Sequence, residues 1–367
     1  MSSLRVNVRL YDQARTAHLE RAGDDPPTSL LYATRRYDFD AALAERVGAC
    51  QAGSFRAARL LWRSDVHVLE VTEPAYLAGA GRAALCIATL RVRHALHIRQ
   101  RPLVVTYAIG NSDPRREYSP RSLRERASFR AKWLLSRIVW RWTDRVAFGT
   151  PMAAETYRVL YGVPQAGQDV RTVPALPTAC SCTPRPRIAR AFVFLGAFVP
   201  RKGLSLLLEA WPAAADALEG ATLQIIGKGP LLAAAVDAAH ADPRVSVLVD
   251  PPRAAIHERL REASVLVLPS QPSATWREQV GLPIVEALQH GCTVVTTDET
   301  GLAPWLGKHG HYVLPAHASS SALADALVRA ASVPVVPAEV LASLPDRDGR
   351  AEAHAWLFRA PVGKARS

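Results

Sequence analysis

Two glutamates with a glycine and a proline between them are the most informative residues of this chain. Glu278 and Glu286 flank the run Gly281-Leu282-Pro283. Pro283 suits the first position of a helix, where its missing N–H costs nothing, so the spacing predicts Glu278 in a loop and Glu286 in the first helical turn. Glu286 could accept hydrogen bonds from a ribose diol, and Glu278 from a sugar beyond a diphosphate. The pair is therefore a candidate for binding a sugar nucleotide.

The residues around this motif predict a strand, a loop, a helix and a second strand. The apolar run 264–269 predicts a buried strand that ends in Pro and Ser, and 293–297 predicts the strand after the helix. A helix N-terminus offers backbone N–H groups and the positive end of its dipole. A diphosphate could therefore rest against Gly281 and Leu282.

Each glutamate also has a simpler interpretation. Glu286 could merely favour a helix N-terminus, and Glu278 could be a solvated charge in a loop. For either residue alone the simpler interpretation is preferable, and only the combination favours a binding site.

A second turn carries two basic residues. A strand is predicted at 191–196 and a helix at 204–211, and the turn between them contains Arg201 and Lys202. Open α/β sheets bind ligands at the carboxyl ends of their strands, where this turn would lie. Most Lys and Arg side chains are solvated, so an exposed turn without a role is the alternative.

Segment 191–332 resembles glycosyltransferase family 4, which carries two glutamates separated by seven residues around a Gly-Leu-Pro, after a Pro-Ser at a strand end. The resemblance implies an α/β protein of the GT-B fold, with two Rossmann-like parallel-sheet domains facing a cleft. It also implies a retaining transfer of a hexosyl or N-acetylhexosaminyl group from a nucleoside-diphosphate sugar to an acceptor hydroxyl or amine. No cofactor and no metal are expected, and UDP or GDP is the expected nucleotide.

The same resemblance implies roles for individual residues. Arg201 and Lys202 would stabilise the leaving diphosphate, and Glu278 would hold the donor sugar. The Gly-Arg often found at the start of the family's turn is Gly196-Ala197 here, so Arg201 must serve alone. The expected nucleotide-binding residues are Gly227, Gly281, Leu282, Pro283 and Glu286.

The first half departs from the family pattern. The usual glycine-rich loop after the first strand is absent from 11–16, and the expected histidine after a later strand is not evident. Tyr107 and Asn111 stand where an acceptor contact is expected. A turn at 110–114 is the simpler interpretation of Asn111.

Length and composition predict two α/β domains. The chain has 367 residues, 49% of them hydrophobic, which exceeds what one core normally holds. We expect an N-terminal acceptor-side domain at 1–177, a nucleotide-sugar domain at 178–332, and a C-terminal helix and tail at 333–367 that crosses back to the first domain. The strands predicted in the first half are 4–10, 29–33, 66–71, 103–107, 145–148 and 170–173.

Five cysteines give an odd count and no disulfide framework. Cys180-Ser181-Cys182 lacks the two-residue gap and the partner pair of a zinc site. Reduced thiols are the expectation.

Positive charge is concentrated in one segment. The chain carries a net charge of +12, and segment 115–145 holds ten Lys or Arg against three acidic residues. A basic helix is predicted at 119–142, with Trp133 and Trp140 interleaved among arginines, which suits an anionic membrane surface or a lipid-linked acceptor. The alternative is a helix packed on the first-domain sheet. Its predicted apolar stripe is Leu123, Ala127, Ala131, Leu134, Ile138 and Trp142.

Two other functions remain open. The chain could bind a sugar nucleotide without transferring the sugar, or act as a membrane-surface adaptor through the basic helix. A nucleic-acid partner is not expected, because no nucleic-acid motif accompanies the basic segment. With no signal peptide and no apolar stretch of transmembrane length, the protein is expected in the cytoplasm, either free or at the membrane periphery.

Overall fold

The computed structural model describes residues 4–23, 26–36, 39–183, 185–273 and 277–359. The chain forms two compact units. The first comprises Met1–Gly149, Ala153–Val173 and Arg350–Ser367, and the second comprises Thr150–Met152 and Pro174–Gly349. Residues 274–276, which precede the loop of Glu278, lie outside the described residues.

The first unit is built on a seven-stranded sheet in the order β3-β2-β1-β4-β5-β6-β7, and its described strand pairs are all parallel. The order reverses beside β1, where doubly wound sheets place their ligands. Its strands are β1 (Asn7–Ala14), β2 (Ser29–Arg35), β3 (Cys50–Gln51), β4 (Val68–Val71), β5 (Leu103–Ala108), β6 (Arg145–Phe148) and β7 (Asp169–Thr172).

Helices cover this sheet, as parallel strands require. Val8, Leu69 and Val104 of the sheet are buried with Ile87 of α4 in the largest core cluster of the unit. The helices that precede β7 are α1 (Thr16–Glu20), α2 (Ala41–Arg46), α3 (Ser54–Arg63), α4 (Ala80–Ala95), α5 (Pro114–Glu117), α6 (Leu123–Trp142) and α7 (Pro151–Tyr161).

The second unit has a six-stranded sheet in the order β10-β9-β8-β11-β12-β13, with parallel pairing throughout the described strands. The five residues of β8 and the five of β12 are all buried, which explains the continuous apolar run of β8. The buried Thr296 and Thr297 of β12 donate hydrogen bonds to the carbonyls of Leu268 and Ser270. Its strands are β8 (Ala191–Leu195), β9 (Thr222–Gly227), β10 (Val245–Val249), β11 (Val265–Leu268), β12 (Thr293–Thr297) and β13 (Tyr312–Leu314).

One large core cluster joins this sheet to its helices. Leu207 and Trp211 of α8 belong to it, and Ile284 and Leu288 of α11 are also fully buried. The helices are α8 (Leu204–Asp216), α9 (Leu232–Ala241), α10 (Arg253–Glu262), α11 (Leu282–Leu288), α12 (Ala303–Lys308), α13 (Ser320–Ser332) and α14 (Pro337–Ala342).

The last helix, α15 (Gly349–Leu357), lies almost wholly in the first unit, although the second unit precedes it in the chain. Its residues Ala353, Trp356 and Leu357 are buried with Val68 of β4 and Val105 of β5. The helix thus completes the core on one face of the first sheet.

These observations confirm two α/β units with parallel sheets and correct several bounds. The first strand, predicted at 4–10, runs from Asn7 to Ala14 because Gln13 still pairs with Thr34 of β2. Residues 11–14, predicted as the start of a loop, are therefore strand. The two-residue strand β3 was not predicted, since it is too short for an alternating pattern.

The basic helix starts at Leu123, four residues later than predicted, and buries a different side. Its buried residues are Ser136, Val139 and Trp140. Much of the predicted apolar stripe is exposed instead, with Leu123 at 81% and Leu134 at 59% exposure. The inward side includes Val139, with Leu135 and Trp142 packed against the same core cluster. In the described parts of the chain, no helix is long and apolar enough to cross a membrane.

Candidate functional site

The turn between β8 and α8 holds Arg201 and Lys202 in one short 3₁₀ turn, Pro200–Lys202. Gly203 follows with φ of +75°, and a Cβ there would lie 1.9 Å from the carbonyl oxygen of Pro269. Only glycine permits both the left-handed backbone and this close approach. The turn is thereby pressed against the loop that follows β11.

Lys202 forms a buried ion pair with Glu278, 76 positions further along the chain. The side chains are only 11% and 8% exposed, respectively. Ser270 Oγ donates a further hydrogen bond to Oε2 of Glu278, at 3.3 Å. The backbone joins the two loops as well, since the Gln271 amide donates to the Arg201 carbonyl at 2.9 Å. The two sequence motifs therefore meet at the carboxyl ends of β8 and β11.

The loop that carries Glu278 is fixed by the turn after β12. The Gly301 amide lies 3.1 Å from the carbonyl oxygens of Glu278 and Gln279. Thr300 Oγ1 donates to the Val280 carbonyl at 3.0 Å. The position of Glu278 therefore depends on the turns after β8 and β12 and not on its own loop alone.

Glu286 lies in the second turn of α11, and the prediction of the first turn was wrong. The helix begins at Leu282, so Pro283 occupies its second position and no acidic residue lies in the first turn. Glu286 lies 3.9 Å from Arg253 of α10. Burial raises the pKa of the Glu286 carboxyl, and Arg253 and His257 partly oppose that shift.

Gly281 and Leu282 start α11 at the same edge of the sheet. Gly281 has φ of +77°, and a Cβ there would lie 2.9 Å from Ile284 Cδ1. Leu282 exposes 68% of its surface even though it is a large apolar residue. The helix start therefore combines a buried glycine with an exposed apolar side chain.

Gly227 ends β9 next to the β8 turn. A Cβ on it would lie 1.9 Å from the Gly196 carbonyl oxygen and 2.9 Å from the Phe198 ring. The Phe198 amide also donates to the Lys228 carbonyl at 2.8 Å. Glycine at 227 thus lets the two turns pack closely at the sheet edge.

The structure pairs Lys202 with Glu278 and places Arg201 next to Lys202 in the same turn. Gly281 lies beside Glu278, because a Cβ at position 281 would be 3.6 Å from Glu278 Cγ. Glu286 stands further along α11 and faces α10. The predicted residues of the second unit thus form a central ion pair and a separate carboxylate.

In the first unit, Tyr107 belongs to a buried charged cluster. The Arg350 guanidinium lies 3.9 Å from the centre of the Tyr107 ring. Arg350 also binds Glu70 at 2.6 Å, and Arg9 lies 2.9 Å from the same carboxylate. Burial by itself would raise the pKa of Glu70, but Arg350 and Arg9 hold it at about 2. Tyr107 therefore packs on the residue that anchors α15.

Asn111 is buried in the loop after β5, next to a carboxylate that the sequence did not single out. Glu73, in the loop after β4, accepts hydrogen bonds from the Ile109 amide at 3.2 Å and the Gly110 amide at 2.9 Å. Tyr157 Oη donates to the same oxygen at 3.1 Å. Burial raises the pKa of Glu73, partly offset by these donors. Glu73 thus fixes the backbone just before Asn111, and its place two residues after a buried strand was the available signal.

A family model matches most of the second unit. Residues 189–332 match the family model described as "Glycosyl transferases group 1". The second unit carries a group 1 glycosyltransferase domain. The ion pair of Lys202 and Glu278 lies within this glycosyltransferase domain.

A curated relative of the chain is the phosphatidyl-myo-inositol mannosyltransferase of Mycobacterium leprae (strain TN), which is 34% identical over 146 residues. The match spans 39% of this chain and 37% of that protein's length.

Solved structures resemble nearly the whole chain. The apo form of the lipopolysaccharide outer core galactosyltransferase WaaB has a TM-score of 0.64 at 11% identity, covering 95% of this chain and 99% of that one. HepE of Anabaena, in complex with UDP, also has a TM-score of 0.64 at 12% identity, covering 96% and 95%. These likenesses confirm the predicted GT-B fold.

Proposed function

We propose that the chain is a retaining glycosyltransferase that moves a sugar from a nucleoside-diphosphate sugar to an acceptor hydroxyl or amine. The observation that carries the proposal is the buried pair of Lys202 and Glu278 at the carboxyl edge of the second sheet. It joins two separate motifs within the segment that matches the glycosyltransferase family. Retention rests on the resemblance to glycosyltransferase family 4.

Lys202 and Arg201 are the proposed electrostatic groups. Negative charge develops on the diphosphate as its bond to the sugar breaks, and fixed positive groups stabilise that charge most where water is excluded. Glu278 holds the Lys202 ammonium in place before the donor binds. The Glu278 carboxylate is also proposed to accept hydrogen bonds from the donor sugar. Attack from the face of the departing phosphate needs no enzyme nucleophile.

The nucleotide is proposed to lie along the edge formed by Gly227 and α11. The amides of Gly281 and Leu282, with Pro283 fixing the helix start, face the diphosphate, and Glu286 binds the ribose diol. UDP and GDP are the proposed nucleotides, and UDP is the nucleotide bound in the HepE structure. We propose that no metal or cofactor takes part at this site, because cationic side chains supply the charge. Transfer unaffected by a chelator supports this, and transfer that requires Mg²⁺ or Mn²⁺ contradicts it.

On the acceptor side, the proposal assigns contacts to Tyr107 and Asn111. Glu73 positions the Asn111 loop through the amides of residues 109 and 110. Tyr107 is already packed under Arg350, so we propose that it shapes the acceptor site through its hydroxyl edge.

A lipid-linked acceptor and peripheral membrane contact are proposed together. The outward side of α6 exposes Leu123 and Leu134 among basic residues such as Arg126, Arg130 and Arg137. Apolar side chains flanked by arginines suit an anionic lipid surface. Trp140 is buried and Trp133 stacks on Tyr161. We therefore propose that Leu123 and Leu134, and not the tryptophans, contact the lipid.

Vesicle sedimentation tests this contact. The wild-type chain should bind vesicles that contain anionic lipid and release them at high salt. The double variant Leu123→Ser/Leu134→Ser should bind much less, whereas Val159→Ser, which is similarly exposed on α7, should bind normally. Equal binding by all three proteins would contradict the proposal.

The transfer reaction itself is tested by incubating the chain with UDP- and GDP-sugars and panels of alcohol, amine and lipid acceptors. Proton NMR of the early product reports the anomeric configuration. A product with the donor's configuration supports the proposal, and an inverted product contradicts retention. Donor binding without turnover on any acceptor would favour the sugar-nucleotide-binding alternative.

A further inference from the structure

Beyond the donor site, the second unit brings together three side chains of the types that bind soft metal ions. The ligand atoms of Cys180, Cys182 and His290 all lie within 4.8 Å of one another. The cysteines precede β8, and His290 follows the C-terminal end of α11. The cluster therefore lies at the opposite end of α11 from Gly281, and it is distinct from the proposed donor site.

The segment that carries the two cysteines is held by the backbone. The Cys180 amide donates to the Gln289 carbonyl at 2.9 Å, which fixes the first thiol beside the end of α11. The Cys182 amide approaches Cys180 Sγ at 3.3 Å. This contact fixes the orientation of the Cys180 thiol within the cluster.

The imidazole of His290 has one nitrogen directed at the thiols and the other at a histidine partner. Nδ1 of His290 lies 3.7 Å from Cys182 Sγ, and Nε2 lies 3.0 Å from Nδ1 of His257. Arg253 Nε–H donates to His257 Nε2 at 3.4 Å. Metal binding at His290 Nδ1 therefore requires the tautomer in which His290 Nε2–H donates to His257 Nδ1, with the exposed Arg253 side chain turned away from His257 Nε2. Metal-binding histidines are commonly oriented in this way by a hydrogen bond at the second nitrogen.

The separation of one ligand pair fits a tetrahedral zinc ion. Zinc bonds of about 2.3 Å to sulfur and about 2.1 Å to nitrogen, at the tetrahedral angle, separate the two ligand atoms by about 3.6 Å. The 3.7 Å between Cys182 Sγ and His290 Nδ1 matches this separation. Two thiolates also neutralise the charge of the ion, so Arg187 and Arg261 near the cluster would face no net positive charge.

We propose that Cys180, Cys182 and His290 bind one zinc ion, with water in the fourth position. No fourth protein ligand joins the cluster within the described residues. The ion would fasten the segment before β8 to the end of α11. The sequence did not predict the site because its third ligand comes from 108 positions beyond Cys182.

Metal analysis of the full-length, untagged and reduced chain tests the proposal. We expect about one zinc per chain by mass spectrometry of the metals, falling at least fivefold in Cys182→Ser and in Cys180→Ser. Cys50→Ser is the matched control, because Cys50 is a half-buried free thiol in the first unit, and it should keep its zinc. Equal zinc in Cys182→Ser and wild type would overturn the proposal.

Cobalt substitution gives a second readout that does not depend on how the variants fold. Co²⁺ added to the metal-free wild-type chain should produce a near-ultraviolet thiolate-to-cobalt absorption band, and Zn²⁺ should displace it. Absence of that band in a chain with reduced thiols would overturn the proposal. So would a Cys180–Cys182 disulfide in the protein isolated under reducing conditions, seen as a mass lower by two hydrogen atoms.

Discussion

At the residue scale, the proposed reaction depends on Lys202, whose ammonium pairs with the Glu278 carboxylate where both side chains are largely buried. A lysine placed in this way supplies charge without having to reorganise when the donor reacts. Its partner Glu278 would lose this buried counter-charge in a Lys202 variant, so a loss of stability and a loss of catalysis must be separated.

Lys202→Ala should lower the transfer rate by about 10²- to 10³-fold, because removal of one preorganised electrostatic contact costs that much. Lys228→Ala is the matched control, since Lys228 pairs with Asp250 on the exposed surface, and its rate should change little. Steady-state kinetics at a temperature where both variants remain folded by circular dichroism makes the comparison. Equal transfer rates for the two variants would show that Lys202 does not contribute to catalysis.

Glu70 gives a pH-dependent prediction in the first unit. Its pKa is about 2 in the folded chain, against 4.5 as the ordinary value. A depressed carboxyl pKa stabilises the fold fully above the ordinary value, and that contribution is lost as the pH falls from about 4.5 towards about 2. Urea unfolding of wild type and Glu70→Gln between pH 6 and pH 3 should therefore show a difference that shrinks with acid. A constant difference would contradict the assigned ion pairs.

At the element scale, the turn before α8 sets the position of Lys202 through Gly203. Any L-residue in a left-handed conformation costs about 1–2 kcal/mol. Gly203→Ala adds to that strain a clash with the Pro269 carbonyl, whereas Gly220→Ala at φ of +73° meets nothing within 4 Å. Comparing the two variants therefore distinguishes the effect of backbone strain from the effect of displacing the turn.

Both variants should lose stability, and Gly203→Ala should lose more and also weaken sugar-nucleotide binding. Chemical denaturation measures the first effect, and calorimetric titration with the donor measures the second. Unchanged donor affinity in Gly203→Ala would show that the close packing of this turn does not control the site.

How far the sequence predicted these elements depended on their burial. Strands such as β8 and β11 are buried throughout, so their apolar runs marked them clearly. The orientation of α6 was not predictable in the same way, because apolar residues occur on two sides of the helix and only packing against α4 selects one. Glu286 was predicted in the first turn because Pro283 was taken as the first helical residue, whereas the helix starts one residue earlier, at Leu282.

The site was predicted as residue types and not as contacts. The motifs indicated Lys202 and Glu278 separately, and their pairing required the fold to bring together turns from β8 and β11. Glu73 and His290 were missed because their partners are distant in sequence, and neither belongs to a recognisable local motif.

At the scale of the whole molecule, the last helix, α15, belongs to the first unit although it follows the second unit in sequence. Arg350 and the buried residues of α15 complete a core with β4 and β5. The first unit therefore needs residues that follow the second unit in sequence.

A chain ending at residue 348 should have an unstable first unit and an intact second one. Removing α15 exposes the apolar surface of β4 and β5 that this helix covers. It also leaves Glu70 without Arg350, and the loss of one partner of a buried ion pair costs about 3–5 kcal/mol of stability. Limited proteolysis followed by mass spectrometry should show early cuts in the first unit only. Equal resistance in both units would contradict this role for α15.

The most direct measurement for the central claim is thermal unfolding of the chain with UDP-, GDP-, ADP- and dTDP-sugars, beside Lys202→Ala, Glu286→Gln and the control Lys228→Ala. A ligand at a hundredfold its dissociation constant adds about 2.7 kcal/mol. That is enough to raise Tm by several degrees. We expect UDP- or GDP-sugar to raise the Tm of wild type and of Lys228→Ala, and to leave the Tm of Lys202→Ala and Glu286→Gln unchanged. No shift with any sugar nucleotide, or a shift that survives both changes, would contradict this expectation.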